Sequence, residues 1–177
     1  AALADSMAYL STDRTGKFLF AASYGGSVLS VNPIGDNGVA GDPVPVIETG
    51  LNAHAILPSP DNRFVFASHP ASDPVPAFRL DAETRILSDG DPARIPFSPK
   101  SGPRHFVFSP DGRFTFAITE HSAEVIAFAY DAASGGWQKL SAEGILPEGF
   151  DGASASADTH ITPDGRFVYA SERTSST

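Results

Sequence analysis

Short apolar runs alternate with clusters of turn residues along the chain, and this pattern predicts many short β-strands. Residues 105–108 and 114–118 are two such runs, and the turn sequence Pro110-Asp-Gly112 lies between them. Proline fixes φ, aspartate can bond the backbone ahead of it, and glycine tolerates a left-handed conformation, so the unit is predicted to be a β-hairpin. Two further runs, at 124–130 and 137–140, complete a predicted four-stranded antiparallel sheet.

The same unit occurs four times. The copies share an aspartate in the turn and an aromatic run after it, and they occupy residues 11–20, 59–66, 109–116 and 162–169. When the repeats are aligned on this aspartate, they lie about 50 residues apart, as propeller blades do. The aligned residues are Asp13, Asp61, Asp111 and Asp164, and this alignment makes the first turn two residues longer than the others. The sequence therefore predicts an all-β fold, a β-propeller of four-stranded antiparallel blades.

The repeats account for about three and a half blades. A blade needs neighbours on both faces, so a propeller normally closes into a ring. We therefore expect residues 1–177 to be one partial propeller domain, an internal fragment of a longer chain. Two alternatives remain open: four repeats could form a small closed propeller, or two copies of the chain could associate to complete one ring.

Polar residues collect at the strand ends that lie away from the aspartate turns. The first strand of each hairpin begins at this edge and the second returns to it, so these positions from successive blades meet near the central channel. They hold His54, Arg104, His105, Glu120, Asp158, His160 and Arg173. Arginine and glutamate at strand ends are usually only solvated, and a histidine beside a turn usually bonds a carbonyl. The convergence of so many titratable groups nevertheless predicts a site.

The arginines of the opposite edge have a simpler interpretation. Arg63, Arg113 and Arg166 each precede a phenylalanine in a turn. Their apolar stems can cover the aromatic rings while the charged heads stay in water. We assign them no chemistry.

Composition and charge exclude several classes of function. A formal net charge of −9 opposes binding to nucleic acid or to a membrane surface. The absence of cysteine removes disulfides, thiol nucleophiles and cysteine–zinc sites, and it is typical of a cytoplasmic protein. No nucleotide-binding glycine loop, nucleophile elbow or paired-histidine spacing is present, so we expect neither a cofactor nor a metal.

Four segments closely resemble the 6-phosphogluconolactonase-type lactonases, and the similarity extends through essentially the whole chain. They are residues 102–108, beginning Gly102-Pro-Arg-His105, and residues 146–150, 157–165 and 169–174. The resemblance implies a seven-bladed ring roughly twice as long as this chain. The family also includes 3-carboxy-cis,cis-muconate cycloisomerases, whose site uses one histidine, two arginines and one glutamate. By motif position these catalytic residues are His54, Arg104, Glu120 and Arg173.

The chain departs from the family pattern beside two of these residues. Thr119 stands where relatives commonly carry asparagine, and Glu172 stands where they carry aspartate or asparagine. The general site is compatible with both changes, and the exact substrate stays open.

The resemblance implies hydrolysis of a small anionic lactone, which we expect to be 6-phosphogluconolactone. A lactonase needs a base to direct water at the carbonyl, a donor for the developing oxyanion, and cations for the phosphate. Glu120 or His54 could be the base, while Arg104 and Arg173 suit bidentate contacts with an anion. We expect three further residues to bind substrate: His105, Asp158 and His160. The alternatives are a cycloisomerase and a non-catalytic propeller that binds proteins on broad apolar patches.

Overall fold

The computed structural model describes residues 3–81, 83–84 and 86–175. Every element of regular secondary structure assigned within these residues is a β-strand. The strands are β1 (Tyr9–Thr12), β2 (Phe18–Ser23), β3 (Val28–Pro33), β4 (Val46–Glu48), β5 (Ala55–Pro58), β6 (Phe64–Ser68), β7 (Val75–Leu80), β8 (Leu87–Ile95), β9 (Pro103–Phe108), β10 (Phe114–Thr119), β11 (Glu124–Tyr130), β12 (Trp137–Gly144), β13 (Ser156–Ile161) and β14 (Val168–Glu172). No helix of the described residues is long and apolar enough to cross a membrane.

The strands form successive antiparallel blades in sequence order. Blade 1 contains β1 to β4, blade 2 contains β5 to β8, blade 3 contains β9 to β12, and blade 4 contains β13 and β14. The first strand of each blade contacts the first strand of the next, so β1, β5, β9 and β13 surround the central channel. This arrangement of three and a half blades confirms the predicted propeller.

The turns between the first two strands of each blade share one hydrogen-bond pattern, and this pattern corrects the alignment of the first repeat. The Asp13 N–H donates to the Phe18 carbonyl at 3.1 Å, as the Ser59 N–H donates to the Phe64 carbonyl at 2.7 Å. Asp13 is therefore equivalent to Ser59 and not to Asp61, and the first turn is no longer than the others. The physical reason is that the Asp13 carboxylate accepts the Phe18 N–H at 2.9 Å, the role that Ser59 Oγ has toward Phe64 at 3.0 Å.

The arginines in these turns cover aromatic rings, as predicted. The guanidinium carbons of Arg63, Arg113 and Arg166 lie 5.7, 5.3 and 5.6 Å from the ring centroids of the phenylalanines that follow them. These cation–π contacts lie at the rim formed by the aspartate turns.

Apolar side chains pack between neighbouring blades and set the spacing of the inner strands. Phe66 of β6 is fully buried, and its ring centroid lies 4.9 Å from that of Trp137, 5.9 Å from that of Phe108 and 6.2 Å from that of Tyr130. A second cluster of buried aliphatic and aromatic residues joins blades 1 and 2. Since each interface is close-packed, the polar ends of the inner strands are held at fixed positions around the channel.

The two ends of the half ring expose apolar side chains. Val168 and Ala170 of β14 line a cavity shared with blade 3, whereas Tyr169 between them is 63% exposed. On β1 the Ser11 hydroxyl donates to the Ile56 carbonyl of blade 2, and Leu10 is 51% exposed. Because side chains alternate between the faces of a strand, Tyr169 and Leu10 mark the two uncovered faces.

Candidate active site

Six of the seven predicted site residues lie together on one rim of the propeller. Each of these residues lies near the start of β9 or β13, or directly beside β5, β10 or β14. The aspartates of the turns lie at the opposite ends of the same strands. The residues on this rim are His54, Arg104, His105, Glu120, Asp158 and Arg173. The predicted separation of the two rims is therefore confirmed.

Glu120 bridges two arginines from different strands. Its Oε2 lies 3.4 Å from Arg104 Nε, and its Oε1 accepts a hydrogen bond of 2.5 Å from Arg173 Nη2. Arg104 also donates to the Ala157 carbonyl, and Arg173 Nε donates to the Ala155 carbonyl at 2.8 Å. The side chains of Arg104 and Arg173 are 13% and 50% exposed. The glutamate thus orients two cations, of which Arg173 is the more accessible.

A second polar cluster joins blades 2, 3 and 4. His105 Nδ1 lies 2.6 Å from Asp158 Oδ1, and His105 Nε2 lies 3.1 Å from His54 Nδ1. The second carboxylate oxygen of Asp158 lies 3.0 Å from His160 Nε2. Tyr9 packs edge-on against the His105 ring, with the ring centroids 5.1 Å apart. Hydrogen bonds therefore run without a break from His54 to His160.

Burial and nearby charges keep the two central histidines neutral. Burial, followed by the charge of Arg104, lowers the pKa of His54 to about 4. Burial also lowers the pKa of His105, although the hydrogen bond to Asp158 opposes this effect. Burial raises the pKa of Asp158, but the hydrogen bond from His105 outweighs it, so the pKa of this carboxyl is lowered. At neutral pH the cluster holds an ionised aspartate and two uncharged imidazoles.

Residues 1–177 match the family model described as the seven-bladed β-propeller lactonase. The chain belongs to this family. It is 39% identical to a 6-phosphogluconolactonase of Pectobacterium carotovorum over 99% of this chain and 53% of that protein. It is 37% identical to a 6-phosphogluconolactonase of Pectobacterium atrosepticum, with the same coverage of both proteins. The chain thus spans about half the length of the curated relatives it matches.

A solved gluconolactonase structure superposes closely on the chain. The periplasmic gluconolactonase of Pseudomonas aeruginosa has a TM-score of 0.87 to this chain and is 33% identical to it. The match covers 97% of this chain and 51% of the other. Since this relative is periplasmic, the expected cytoplasmic location remains a prediction.

A glycine of the lactonase-family motif is needed where β9 begins. Gly102 has a φ of +68°, and a Cβ atom there would lie 2.5 Å from Cδ2 of His121. Its carbonyl accepts the Glu120 N–H at 2.7 Å. The Ser68 hydroxyl donates to the carbonyl of Arg104 from the neighbouring blade. These contacts fix the backbone from which Arg104 and Glu120 project.

The two residues that depart from the family pattern, Thr119 and Glu172, form hydrogen bonds with neighbouring loops. Thr119 Oγ1 accepts the Glu124 N–H at 3.1 Å, and the buried Glu172 carboxylate accepts the N–H groups of Ala155 and Ser175 at 2.5 Å. Burial raises the pKa of Glu172, but the hydrogen bonds from Ser175 and Ala155 lower it to about 2. These residues stabilise the loops that follow the strands.

His160 lies further along the channel than the other predicted residues. Its side chain is exposed, and it lines a cavity of about 300 Å³ with Ser11, Thr12 and Val107. This cavity extends toward the aspartate-turn rim, because Ser59 and Pro60 also line it. His160 therefore reaches Asp158 from the channel side.

The sequence-based candidate set omitted Tyr9. The Ala8 N–H bonds the Ala22 carbonyl at 2.8 Å, as the His54 N–H bonds the Ser68 carbonyl at 2.8 Å. Tyr9 therefore follows the first-blade counterpart of His54, at the strand position that His105 and Asp158 occupy in blades 3 and 4. Shifting the first repeat by two residues would have revealed this equivalence.

Proposed function

We propose that the complete protein, of which this chain supplies three and a half blades, hydrolyses 6-phosphogluconolactone to 6-phosphogluconate. The observation that carries the proposal is that two arginines, held by one glutamate, lie on the same rim as an uncharged histidine. The names of the family members support the same substrate class. A phosphorylated lactone offers an anion for a guanidinium and a carbonyl for nucleophilic attack.

His54 suits the role of general base better than Glu120. Both oxygens of Glu120 already contact arginines, whereas His54 is uncharged at neutral pH. In this mechanism His54 takes a proton from water as the water oxygen bonds to the lactone carbonyl carbon. Arg104 stabilises the oxyanion, and the more exposed Arg173 binds the phosphate. The ring C–O bond then breaks, and the ring oxygen receives the proton from His54.

The substrate-binding role expected for His105, Asp158 and His160 stays a prediction. His160 is the most exposed of the three and faces the channel cavity, which favours a contact with a sugar hydroxyl. We also retain the cytoplasm as the proposed location, and cell fractionation would test it. The convergence of titratable groups on this rim argues against a purely protein-binding propeller.

The full-length protein should hydrolyse 6-phosphogluconolactone without added metal, and Arg104→Ala should lower kcat/KM by about 10²–10³-fold, equivalent to about 2.7–4 kcal/mol. The Arg113→Ala variant is a matched control, because that arginine covers a phenylalanine on the opposite rim. Its kcat/KM should equal that of the wild type. A continuous assay of acid release measures both.

Two results would contradict this assignment. Turnover of 3-carboxy-cis,cis-muconate alone would identify a cycloisomerase that uses the same cations to hold carboxylates. Equal loss of activity in Arg104→Ala and Arg113→Ala would show that the rim described here is not the reaction site.

A further inference from the structure

The hydrogen bonds of the histidine cluster determine which nitrogen of His54 carries the proton. An ionised carboxylate only accepts hydrogen bonds, so His105 Nδ1 donates to Asp158. His105 is neutral, and its Nε2 therefore carries a lone pair. The contact of 3.1 Å between this nitrogen and His54 Nδ1 then requires that His54 Nδ1 be the donor. The lone pair of His54 is left on Nε2.

We propose that Asp158 and His105 are positioning residues that hold His54 in the tautomer with its lone pair on Nε2, the atom that takes the proton from water. This inference rests on the proposed lactone hydrolysis. It assigns to Asp158 and His105 a task different from direct substrate contact. Among the described residues, no group hydrogen-bonds to His54 Nε2. This nitrogen is also not one of the buried polar atoms that lack a partner, so it is accessible to water.

The Asp158 carboxylate is restrained as a positioning group must be. Its Oδ1 accepts the Thr159 N–H at 2.8 Å in addition to His105 Nδ1, and its Oδ2 lies 3.0 Å from His160 Nε2. The Ser171 hydroxyl accepts the Asp158 backbone N–H at 3.1 Å. These contacts hold both oxygens in place, so that one of them stays directed at His105.

The cluster also stabilises the charge that appears when His54 takes a proton. The new imidazolium keeps its Nδ1–H bond to His105, and the negative charge of Asp158 lies on the far side of that ring. Arg104 and Arg173 act in the opposite sense and disfavour the imidazolium. Two tyrosines also pack against these rings: the Tyr24 ring centroid lies 5.8 Å from that of His54, and Tyr9 packs on His105. The proton returns to the lactone ring oxygen as the C–O bond breaks.

Replacement of the aspartate should reverse both tautomers. Asp158→Ala removes the acceptor of the His105 Nδ1–H, so His105 can carry its proton on Nε2 and donate it to His54 Nδ1, which leaves the His54 proton on Nε2. We expect kcat of the full-length protein to fall by about 10²–10⁴-fold with little change in KM, as for other orienting carboxylates. Asp164→Ala makes the same substitution in the same hairpin at the opposite rim, where the carboxylate bonds only its own turn. Its kcat should be unchanged.

The tautomers can be measured without substrate. Long-range ¹H–¹⁵N spectra of the ¹⁵N-histidine-labelled full-length protein, assigned with His54→Gln and His105→Gln, should show Nδ1–H in both rings. Asp158→Ala should shift both to Nε2–H, and Asp158→Glu, which retains the carboxylate, should keep the wild-type tautomers and recover part of kcat. Wild-type protein with Nε2–H at His54 would overturn the inference.

The inference and the proposed function fail in different ways. If no lactone is turned over while the spectra show the expected tautomers, the hydrolase assignment fails, but Asp158 and His105 still fix the tautomer of His54. If the lactone is hydrolysed and Asp158→Ala matches Asp164→Ala in kcat, the positioning role is wrong and the hydrolase assignment stands. Thermal unfolding of both variants shows whether a loss of kcat is caused by misfolding. If it is, the kcat of Asp158→Glu and the wild-type spectra decide whether Asp158 positions His54.

Discussion

A buried polar residue lies where the second strand of each blade ends, and it has the same structural role in every blade. Ser23, His69, Thr119 and Glu172 occupy this position. His69 Nε2, for example, lies 2.9 Å from Thr49 Oγ1 of the preceding blade. Each side chain thus links the strand end to a nearby loop, beside the residues that form the site. This task explains why polar groups are buried there despite the cost.

His69 should make stability depend on pH. Burial lowers its pKa to about 4 from the ordinary value of 6.5. Between these pH values the unfolded chain binds a proton that the folded chain excludes, so stability falls as the pH falls. The stability advantage of wild type over His69→Gln should shrink by about 1–2 kcal/mol from pH 7 to pH 5. Urea unfolding of both proteins at the two pH values measures it, and a constant difference would contradict the lowered pKa.

At the scale of strands and blades, one aromatic position of the repeat supplies the contact with the following blade. Phe66 fills this position in blade 2 and is fully buried against blade 3, where Trp137 contacts its ring. Tyr169 is its counterpart in blade 4 and is 63% exposed. The same sequence position is therefore core or surface according to whether another blade follows.

Phe66→Ala should destabilise the chain by about 3–5 kcal/mol, because it removes a ring from a close-packed interface between blades. The chain has a single tryptophan, Trp137, so its fluorescence reports this interface directly. Tyr169→Ala in the same 177-residue chain, measured at concentrations low enough to keep it monomeric, is the control and should change stability by less than about 0.5 kcal/mol. Similar losses in the two variants would show that Tyr169 is covered.

At the scale of the whole molecule, the half ring leaves the faces marked by Leu10 and Tyr169 without a partner blade. Isolated sheets with an uncovered apolar face tend to associate. In a seven-bladed relative such faces adjoin further blades. We therefore expect the surface chemistry of the half ring to differ from that of a closed seven-bladed ring.

The isolated 177-residue chain should self-associate or unfold readily, whereas the full-length protein should not depend on such association. Sedimentation velocity over a range of concentrations tests this, and Tyr169→Asp should shift the isolated chain toward the monomer. A stable monomer at all concentrations would contradict the prediction of an open ring.

The hairpins, the blade repeat and the rim that carries the polar residues could all be predicted from the sequence. These features depend on turn chemistry and on the alternation of side chains, which act over a few neighbouring residues. The alignment of the first repeat was wrong because Asp13 replaces the serine or threonine of the other turns while keeping its hydrogen bond.

The pairing of the site residues could not be predicted in the same way. His54 and His105 lie 51 positions apart in the chain, and His105 and Asp158 lie 53 apart. Their contacts depend on how closely neighbouring blades pack, which is set by interlocking side chains such as Phe66 and Trp137. For the same reason, the two contacts of Glu120 with arginines became visible only in the packed propeller. Local rules place each group at the rim, and the distances between groups follow from packing across the blades.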